Sequence, residues 1–161
     1  MTYKRSQTGS MTTPFGRITF AVEGGALVEL AFSDEAVNEN DDALLLEVKH
    51  AISAYINDGQ PIEIPIAFQR GTAFQRDVWK ALLTIPFGET RTYKDIASAI
   101  NRPRAVRAVG QACKANPIGI VVPCHRVVSS DGSVGGYGGI LNNPKKAKLL
   151  SHEARHRQLS R

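Results

Sequence analysis

Hydrophobic and polar residues alternate in the first third of the chain, as they do in a strand with one buried face. This period of two covers residues 17–23 and 26–32, and Gly24-Gly25 between them is typical of a two-residue hairpin turn. A shorter alternation over residues 61–68 predicts a third strand, with Pro65 at a sheet edge because proline has no N–H for an inner ladder. The N-terminal part is therefore predicted to contain an antiparallel sheet.

The hydrophobic period becomes helical between these strands. A helix is predicted from about Ala43 to Ile56, because Asp41-Asp42 favours its start and Asp58-Gly59 its end. Its predicted buried face consists of Leu45, Val48, Ile52 and Tyr55. A helix with one apolar face needs a sheet to pack on, which indicates a small α/β unit.

The second part of the chain carries two helix-capping signals. Thr72 followed by Gln75 predicts a capping box for a helix that ends near Thr84. Thr92 with Asp95 caps a short helix over residues 93–100.

A further helix is predicted over residues 103–115. It follows a tight break at Asn101-Arg102, and Pro103 is expected in its first turn. Two short helices joined by a brief turn form a helix-turn-helix signature.

The expected fold class is α+β. Residues 1–68 are predicted to form an N-terminal α/β scaffold domain with an antiparallel sheet. Residues 72–161 are predicted to form a mainly helical domain that contains the helix-turn-helix. A chain of 161 residues suffices for one large or two small domains with a real core.

Charge divides the chain more sharply than its net value of +5 indicates. Residues 1–68 carry four Lys and Arg against ten Asp and Glu, a net charge of −6, whereas residues 69–161 carry sixteen against five, a net charge of +11. Such asymmetry indicates that the C-terminal part binds a polyanion. Charge alone does not distinguish DNA, RNA and a membrane surface.

The composition argues against a membrane-spanning, secreted or zinc-binding protein. No apolar run approaches the roughly 20 residues of a membrane span, and residues 1–10 lack the apolar core of a signal peptide. Two cysteines, Cys113 and Cys124, are too few for a disulfide framework and lack zinc-ligand spacing. We expect a cytoplasmic protein, associated with the nucleoid in a prokaryote, with no membrane partner and no metal.

The helix over residues 103–115 has two unlike faces. Val106, Val109 and Cys113 recur at core spacing, so Cys113 is interpreted as structural. The opposite face carries Arg104, Arg107, Gln111 and Lys114, and the small residues between them are Ala105, Ala108, Gly110 and Ala112. Small side chains with one long arginine suit a narrow groove, where a side chain can be wedged into the base stack. The alternative is an ordinary solvated helix.

The run Val121–Val128 places a thiol beside an imidazole and a guanidinium, at Cys124, His125 and Arg126. A free thiol is only slightly ionised at neutral pH, so a nucleophilic cysteine needs such neighbours. Adjacent side chains of a strand point to opposite faces, so Cys124 and His125 cooperate only if the chain bends there or a water relays the proton. The alternative is a core strand with a packed cysteine.

Two later segments add to this picture. Residues 133–139 are rich in glycine but lack the context of a nucleotide-binding fold, and are interpreted as a flexible loop. The last helix is predicted to start near Asn143-Pro144 and to carry Glu153 near its end. A glutamate there opposes the helix dipole, which indicates that Glu153 has another task, such as holding a histidine.

In these motifs the chain resembles the O6-alkylguanine-DNA alkyltransferases, also called methylated-DNA–protein-cysteine methyltransferases. The resemblance runs through residues 72–75, 85–90, 107–110 and 116–117, then through Pro123-Cys124-His125-Arg126-Val127, the 135–139 loop and His152-Glu153. Residues 1–68 look like the variable N-terminal domain of the family, with a weaker match and without the cysteine and histidine ligands of its zinc-bearing members.

The resemblance implies a catalytic set. Cys124 would accept the alkyl group, with His125 as its base through a bridging water and Glu153 orienting His125. Asn116 would brace the turn before the cysteine. Tyr93 would promote flipping of the base and donate a proton to the purine N3 as the guanine leaves.

The resemblance also implies how DNA is bound. The protein would bind the minor groove of double-stranded DNA that contains O6-alkylguanine and flip the damaged base into a pocket. Arg107 would fill the vacated stack. The other expected DNA contacts are Lys94, Arg102, Ser130 and Gly110. The guanine pocket would be lined by Val127, Tyr137 and the backbone N–H of Gly138, where some members carry serine.

The implied reaction is an irreversible transfer of the alkyl group to Cys124, once per protein. It would extend to O4-alkylthymine, would use no cofactor, and would need only a monomer. Three other functions are alternatives: a lesion sensor, which would lack the acceptor cysteine; a transcriptional regulator, which would need a further cysteine-rich domain; and a thiol hydrolase, which would need an oxyanion hole.

Overall fold

The computed structural model describes residues 6–137, 140–141 and 143–159. Two compact units divide the chain. The first runs to Gln69 and also includes Pro117–Gly119, and the second consists of Arg70–Asn116 and residues from Ile120 onward. The α+β fold class is confirmed, since the first unit contains an antiparallel sheet and the second is mainly helical.

The first unit is a three-stranded sheet with one helix. Strands β1 (Gln7–Thr13), β2 (Gly16–Glu23) and β3 (Ala26–Phe32) pair antiparallel in the order β1-β2-β3. The predicted hairpin at Gly24-Gly25 is confirmed, and both glycines have the positive φ that such a turn requires.

Strand β1 was not predicted from the sequence. It contains one apolar residue, Met11, among Gln, Thr, Gly and Ser, so it lacks a hydrophobic alternation. Backbone pairing with β2 forms it instead. Its outer edge binds Asn40 and Glu39: the Asn40 N–H donates to the Thr8 carbonyl at 3.0 Å, and the Ser10 N–H donates to the Glu39 carboxylate at 3.2 Å.

Helix α1 (Ala43–Asp58) has the predicted caps and face. The Asp42 side chain accepts from the Leu44 N–H, and Gly59 ends the helix with a φ of 64°. Its buried residues are Leu45, Val48, Ile52 and Tyr55, as predicted.

The strand predicted over residues 61–68 is wrong. The side chains do alternate in exposure, but only a single parallel bridge forms, between Leu27 and Ile66. Pro65 offers a carbonyl but no N–H, which limits the ladder. A second single bridge joins Leu30 to Ile118, so two short segments cover the outer edge of β3.

The second unit begins with two capped helices. Helix α2 (Ala73–Leu82) and helix α3 (Tyr93–Ala99) both have complete capping boxes, from Thr72 with Gln75 and Thr92 with Asp95, as predicted. The remaining elements of this unit are helix α4 (Val106–Lys114), a 3₁₀ turn (Cys124–Arg126), strands β4 (Arg91–Thr92), β5 (Val127–Val128), β6 (Gly136–Tyr137) and β7 (Ile140–Leu141), and helix α5 (Pro144–Leu159).

Helix α4 differs from its prediction at its start. It begins at Val106, and Pro103 lies in the preceding turn, where the Arg102 N–H donates to the Ala97 carbonyl at 2.8 Å. Asn101 has a φ of 60°, the left-handed conformation that asparagine tolerates and that turns the chain out of α3.

The faces of α4 are also rotated from the prediction. Val106 is 38% exposed, whereas Ala112 is buried beneath Trp79, whose indole N–H donates to the Ala112 carbonyl at 2.8 Å. The core face is therefore Val109 and Ala112, and Ala112 does not belong to the exposed surface. Within the described residues, no helix is long and apolar enough to cross a membrane.

Candidate active site and nucleic-acid interface

Cys124 begins a 3₁₀ turn and does not lie in a strand. Pro123 precedes the turn, the Arg126 N–H donates to the Pro123 carbonyl at 3.0 Å, and only Val127–Val128 is extended, pairing in parallel with β4. The alternative of a core strand through the cysteine is therefore wrong. The turn supplies the bend at Cys124 that cooperation with His125 requires.

The thiol of Cys124 is buried, with 8% of the residue exposed. The Asn116 amide donates to the Val122 carbonyl at 2.8 Å and to Sγ at 3.4 Å, so it braces the segment before the cysteine. Burial raises the pKa of the Cys124 thiol, while the Asn116 hydrogen bond and the Lys146 charge oppose that shift. In this environment the thiol keeps its proton until a base removes it.

His125 is fully buried and faces a carboxylate. Its Nε2 lies 2.5 Å from Glu153 Oε2. Burial lowers the pKa of His125, although Glu153 opposes the shift, so the ring is neutral at neutral pH. A neutral ring that donates from Nε2 leaves Nδ1 unprotonated, and Nδ1 has no hydrogen-bond partner among the described residues. Nδ1 is therefore the free basic atom.

Glu153 joins three segments of the unit. Its carboxylate also accepts from Arg126 Nε at 2.7 Å and from the Gly88 N–H at 3.2 Å. Burial alone raises the pKa of Glu153, but the hydrogen bonds and charges of His125 and Arg126 hold it well below its usual range. Glu153 lies in the middle of α5, so the dipole argument made from the sequence is wrong, although the expected contact with a histidine exists.

Tyr93 is the first residue of α3 and is half-buried. A side-chain carbon at Gly135, whose φ is +79°, would lie 3.0 Å from the Tyr93 hydroxyl. Burial raises the pKa of the Tyr93 phenol, which keeps its proton at neutral pH. Val127 and Tyr137 of the expected pocket are both buried, and burial raises the pKa of Tyr137 strongly. Gly138 lies outside the described residues.

The expected DNA-contacting side chains are exposed. Lys94 lies on α3, Arg102 in the turn before α4, Arg107 on α4, and Ser130 after β5. Gly110 of α4 is partly exposed, and a side-chain carbon there would lie 3.9 Å from the Tyr93 ring. The exposed cations Lys94, Arg102 and Arg107 therefore lie along the helix-turn-helix, as expected for a nucleic-acid interface.

Lys146 was missed by the sequence analysis. Its side chain is fully buried, although it stands in the run Lys145-Lys146-Ala147-Lys148, which is typical of a solvated helix face. The available signal was its helical spacing with Leu149 and Glu153, both of which are buried.

No group of three or more His, Cys, Asp or Glu in the described ranges is placed to hold a metal ion. The second cysteine, Cys113, is partly buried on α4, and burial raises its pKa to about 12. Burial raises the pKa of both thiols, so the two cysteines differ instead in the Asn116 amide, which donates to Cys124 Sγ at 3.4 Å.

This fold and this site define a class: a protein with a helix-turn-helix, a buried cysteine whose thiol accepts from an asparagine amide, and a neighbouring buried histidine held by a carboxylate. A family model described as the DNA-binding domain of 6-O-methylguanine DNA methyltransferase matches residues 73–155. The methylated-DNA–protein-cysteine methyltransferase of Mycobacterium leprae is 41% identical over 151 residues, which cover 89% of this chain and 90% of that protein. The chain belongs to the O6-methylguanine-DNA methyltransferase family.

Two further comparisons cover most of this chain to different extents. The crystal structure of Mycobacterium tuberculosis OGT in complex with DNA matches with a TM-score of 0.83 and 38% identity, covering 93% of this chain and 94% of that one. The bifunctional transcriptional activator/DNA repair enzyme Ada of Escherichia coli is 46% identical over 111 residues, which cover 69% of this chain but 30% of that protein.

Proposed function

We propose that this protein repairs O6-alkylguanine in DNA by transferring the alkyl group to its own Cys124. It is a methylated-DNA–protein-cysteine methyltransferase, the activity that the M. leprae relative is named for. Two contacts at adjacent residues carry the proposal: the Asn116 amide donates to the Cys124 thiol at 3.4 Å, and the next residue, a neutral His125, lies 2.5 Å from the Glu153 carboxylate.

The first step is activation of the thiol. The proton of Cys124 passes to Nδ1 of His125 through a bridging water, and the imidazolium that forms is stabilised by the Glu153 carboxylate 2.5 Å from Nε2. Arg126 holds that carboxylate from its other side, at 2.7 Å.

The second step is displacement at the alkyl carbon. A bond forms between Sγ and that carbon, the bond from the carbon to O6 breaks, and the electron pair stays on the guanine. Tyr93 donates its proton to N3, so the guanine leaves as a neutral base. The product is a thioether, which has no proton to lose and is a poor leaving group, so each protein reacts once. Proton transfer and displacement complete this reaction without a redox step or a Lewis acid.

The lesion is presented by base flipping on double-stranded DNA. The exposed basic residues of the helix-turn-helix support binding along the minor groove, with Arg107 entering the stack that the flipped base leaves. Val127, Tyr137 and Gly138 would line the pocket, and O4-alkylthymine would be a second substrate. M. tuberculosis OGT, which this chain resembles over most of its length, was crystallised in complex with DNA. One chain carries every residue of the scheme, so a monomer suffices.

The test is the intact mass of the protein after incubation with excess duplex that carries one O6-methylguanine. We expect one added methyl group per chain, located on Cys124 by peptide mapping, and no further addition with time. Cys124→Ser should gain no mass, and Cys113→Ser should react as the unaltered protein does. An unmodified guanine duplex is the matched substrate control.

Each other outcome has a distinct meaning. Tight binding of the lesion without added mass would contradict the proposal and favour a lesion sensor. Repeated turnover of esters or peptides would favour a thiol hydrolase.

A further inference from the structure

Lys146 is the one lysine in the described ranges whose side chain is fully buried. An ammonium group removed from water requires strong compensation. No carboxylate of the described residues lies within 4.0 Å of it, so no ion pair provides that compensation. Burial lowers the pKa of Lys146, and Cys124 and Cys113 oppose the shift. The contacts that hold this ammonium therefore indicate what it does in the site.

Two backbone carbonyls accept hydrogen bonds from the Lys146 ammonium. Nζ donates to the Val127 carbonyl at 2.5 Å and to the Gly136 carbonyl at 3.1 Å. Val127 directly follows the turn that holds Cys124 and His125, and Gly136 precedes Tyr137. An ammonium has three N–H donors, so one remains after these two carbonyls.

The remaining donor faces Tyr93. Nζ lies 3.5 Å from the Tyr93 hydroxyl oxygen and 5.6 Å from the centre of its ring. A phenol has one proton, and its oxygen can accept while that proton is donated elsewhere. When the Lys146 ammonium donates to the Tyr93 oxygen, the phenol proton is free to point at another acceptor.

We propose that Lys146 is a positioning residue for Tyr93, which directs the phenol proton toward the purine N3 and stabilises the phenolate left after that proton is donated. The inference rests on the proposed function. In the displacement step the sulfur–carbon bond forms, the carbon–O6 bond breaks, and the Tyr93 proton moves to N3. The negative charge that remains on the Tyr93 oxygen then faces the Lys146 ammonium, which lowers the energy of the transition state.

The same ammonium also acts on the thiol, because its charge opposes the effect of burial on the pKa of Cys124. A slower reaction in a Lys146 variant would therefore not by itself identify Tyr93 as the mediator. A double-mutant cycle separates the two routes, since only the route through Tyr93 disappears when the phenol oxygen is removed.

The experiment measures the single-turnover rate of methyl transfer at saturating protein. We expect Lys146→Met and Tyr93→Phe each to slow transfer by about 10- to 100-fold, with little change in affinity for the lesion duplex. The double variant should be no slower than the slower single variant, within about twofold. Lys148→Met is the matched control, because it makes the same change at an exposed position of α5 and should leave the rate unaltered.

A second substrate gives a readout that a purely structural role would not affect. In a duplex whose O6-methylguanine carries C–H in place of N3, the acceptor of the Tyr93 proton is missing. The effect of Lys146→Met should then shrink to about twofold or less, because the assisted proton transfer no longer exists.

The outcomes that would overturn the inference are distinct. If the single effects multiply in the double variant, or if the effect persists in full on the modified substrate, Lys146 acts on Cys124 or on the fold instead.

Lys146→Gln, which keeps length and N–H donors without charge, replaces Lys146→Met if the latter does not fold. If both variants lose the fold, the lysine is structural and the inference is wrong. A wild-type protein that transfers no methyl group overturns the proposed function as well, whereas normal wild-type transfer with a multiplicative cycle overturns only the role of Lys146.

Discussion

The two units of the protein differ in where their charged side chains lie. In the first, the ion pair of Lys49 and Glu39 is a surface contact, with side chains 36% and 51% exposed. In the second, His125, Glu153 and Lys146 are buried almost completely. Among the described residues of the first unit, the one buried polar side chain is Thr13, which carries no charge.

This difference indicates where the molecule performs chemistry. A buried charge lowers stability unless it is paired and hydrogen-bonded, so a unit that needs only to fold places charges at its surface. The second unit instead buries His125, Lys146, His152 and Glu153, and it contains the cysteine whose thiol accepts from the Asn116 amide. Buried charge is a better marker of the site than net charge, which is spread over the whole basic unit.

The sharpest test of this comparison is the same substitution in each unit. Glu153→Gln should lower the free energy of unfolding by about 3 kcal/mol, because it leaves Arg126 without its buried partner. Glu39→Gln should lower it by less than about 1 kcal/mol, because the pair with Lys49 is exposed to solvent. Denaturant unfolding of both variants measures these values.

The same pair of variants separates catalysis from stability. Glu153→Gln should also slow methyl transfer by about 100-fold or more, since His125 loses the group that orients it and stabilises its charged form. Glu39→Gln should transfer at the unaltered rate. Equal losses of stability in the two variants would contradict the comparison of the units.

Elements whose signals are local were predicted correctly. The hairpin at Gly24-Gly25 and the two capping boxes depend on residues within four positions of one another. Strand β1 was missed because pairing with β2, which is a tertiary contact, forms it in a polar sequence. Helix α4 was started too early because the turn at Asn101 depends on contacts back to α3.

The residues of the site also divide into those with a local sequence signal and those whose position depends on tertiary contacts. Cys124 and His125 are adjacent in the sequence and were predicted as a pair, and the family is confirmed. The individual roles of Asn116, Tyr93 and Glu153 stay predictions. Lys146 was not predicted, because the lysine-rich sequence around it outweighed its helical spacing with Leu149 and Glu153, and the three segments that it contacts meet only in the fold.

Methylation of Cys124 should destabilise the second unit. The thiol is packed, and an added methyl group is overpacking, which costs about 1–3 kcal/mol. We expect a lower melting temperature after complete alkylation, and faster hydrogen exchange near the 3₁₀ turn but not in β2 and β3 of the first unit. An unchanged melting temperature would mean that the pocket has room for the methyl group.

Arg107→Ala should weaken binding of lesion-bearing duplex by about 10-fold without changing the free energy of unfolding, because the side chain is exposed on α4. Arg107→Lys separates the two contributions, since it keeps the charge but has a different shape. Lys49→Ala in the first unit removes one charge and should leave DNA affinity unchanged. Fluorescence anisotropy at one fixed salt concentration measures all three. A similar loss for Lys49→Ala would mean that binding depends on total charge and not on the helix-turn-helix.

The smallest expected effect is that of pH on methyl transfer. Burial lowers the pKa of His125 from its ordinary value of 6.5, so the base stays neutral at and somewhat below that pH. Burial raises the pKa of Cys124 above its ordinary value of 9.0, so the thiol stays protonated up to that pH. The single-turnover rate should therefore vary by less than about twofold between pH 6.5 and 9.0, and fall only below that window as His125 becomes protonated. Stability should also fall with pH in two stages, because the folded state lowers both pKa values: the loss from His125 begins near its ordinary value of 6.5, and that from Glu153 near its ordinary value of 4.5. A rate that rises tenfold per pH unit through this window would mean that Cys124 ionises without His125.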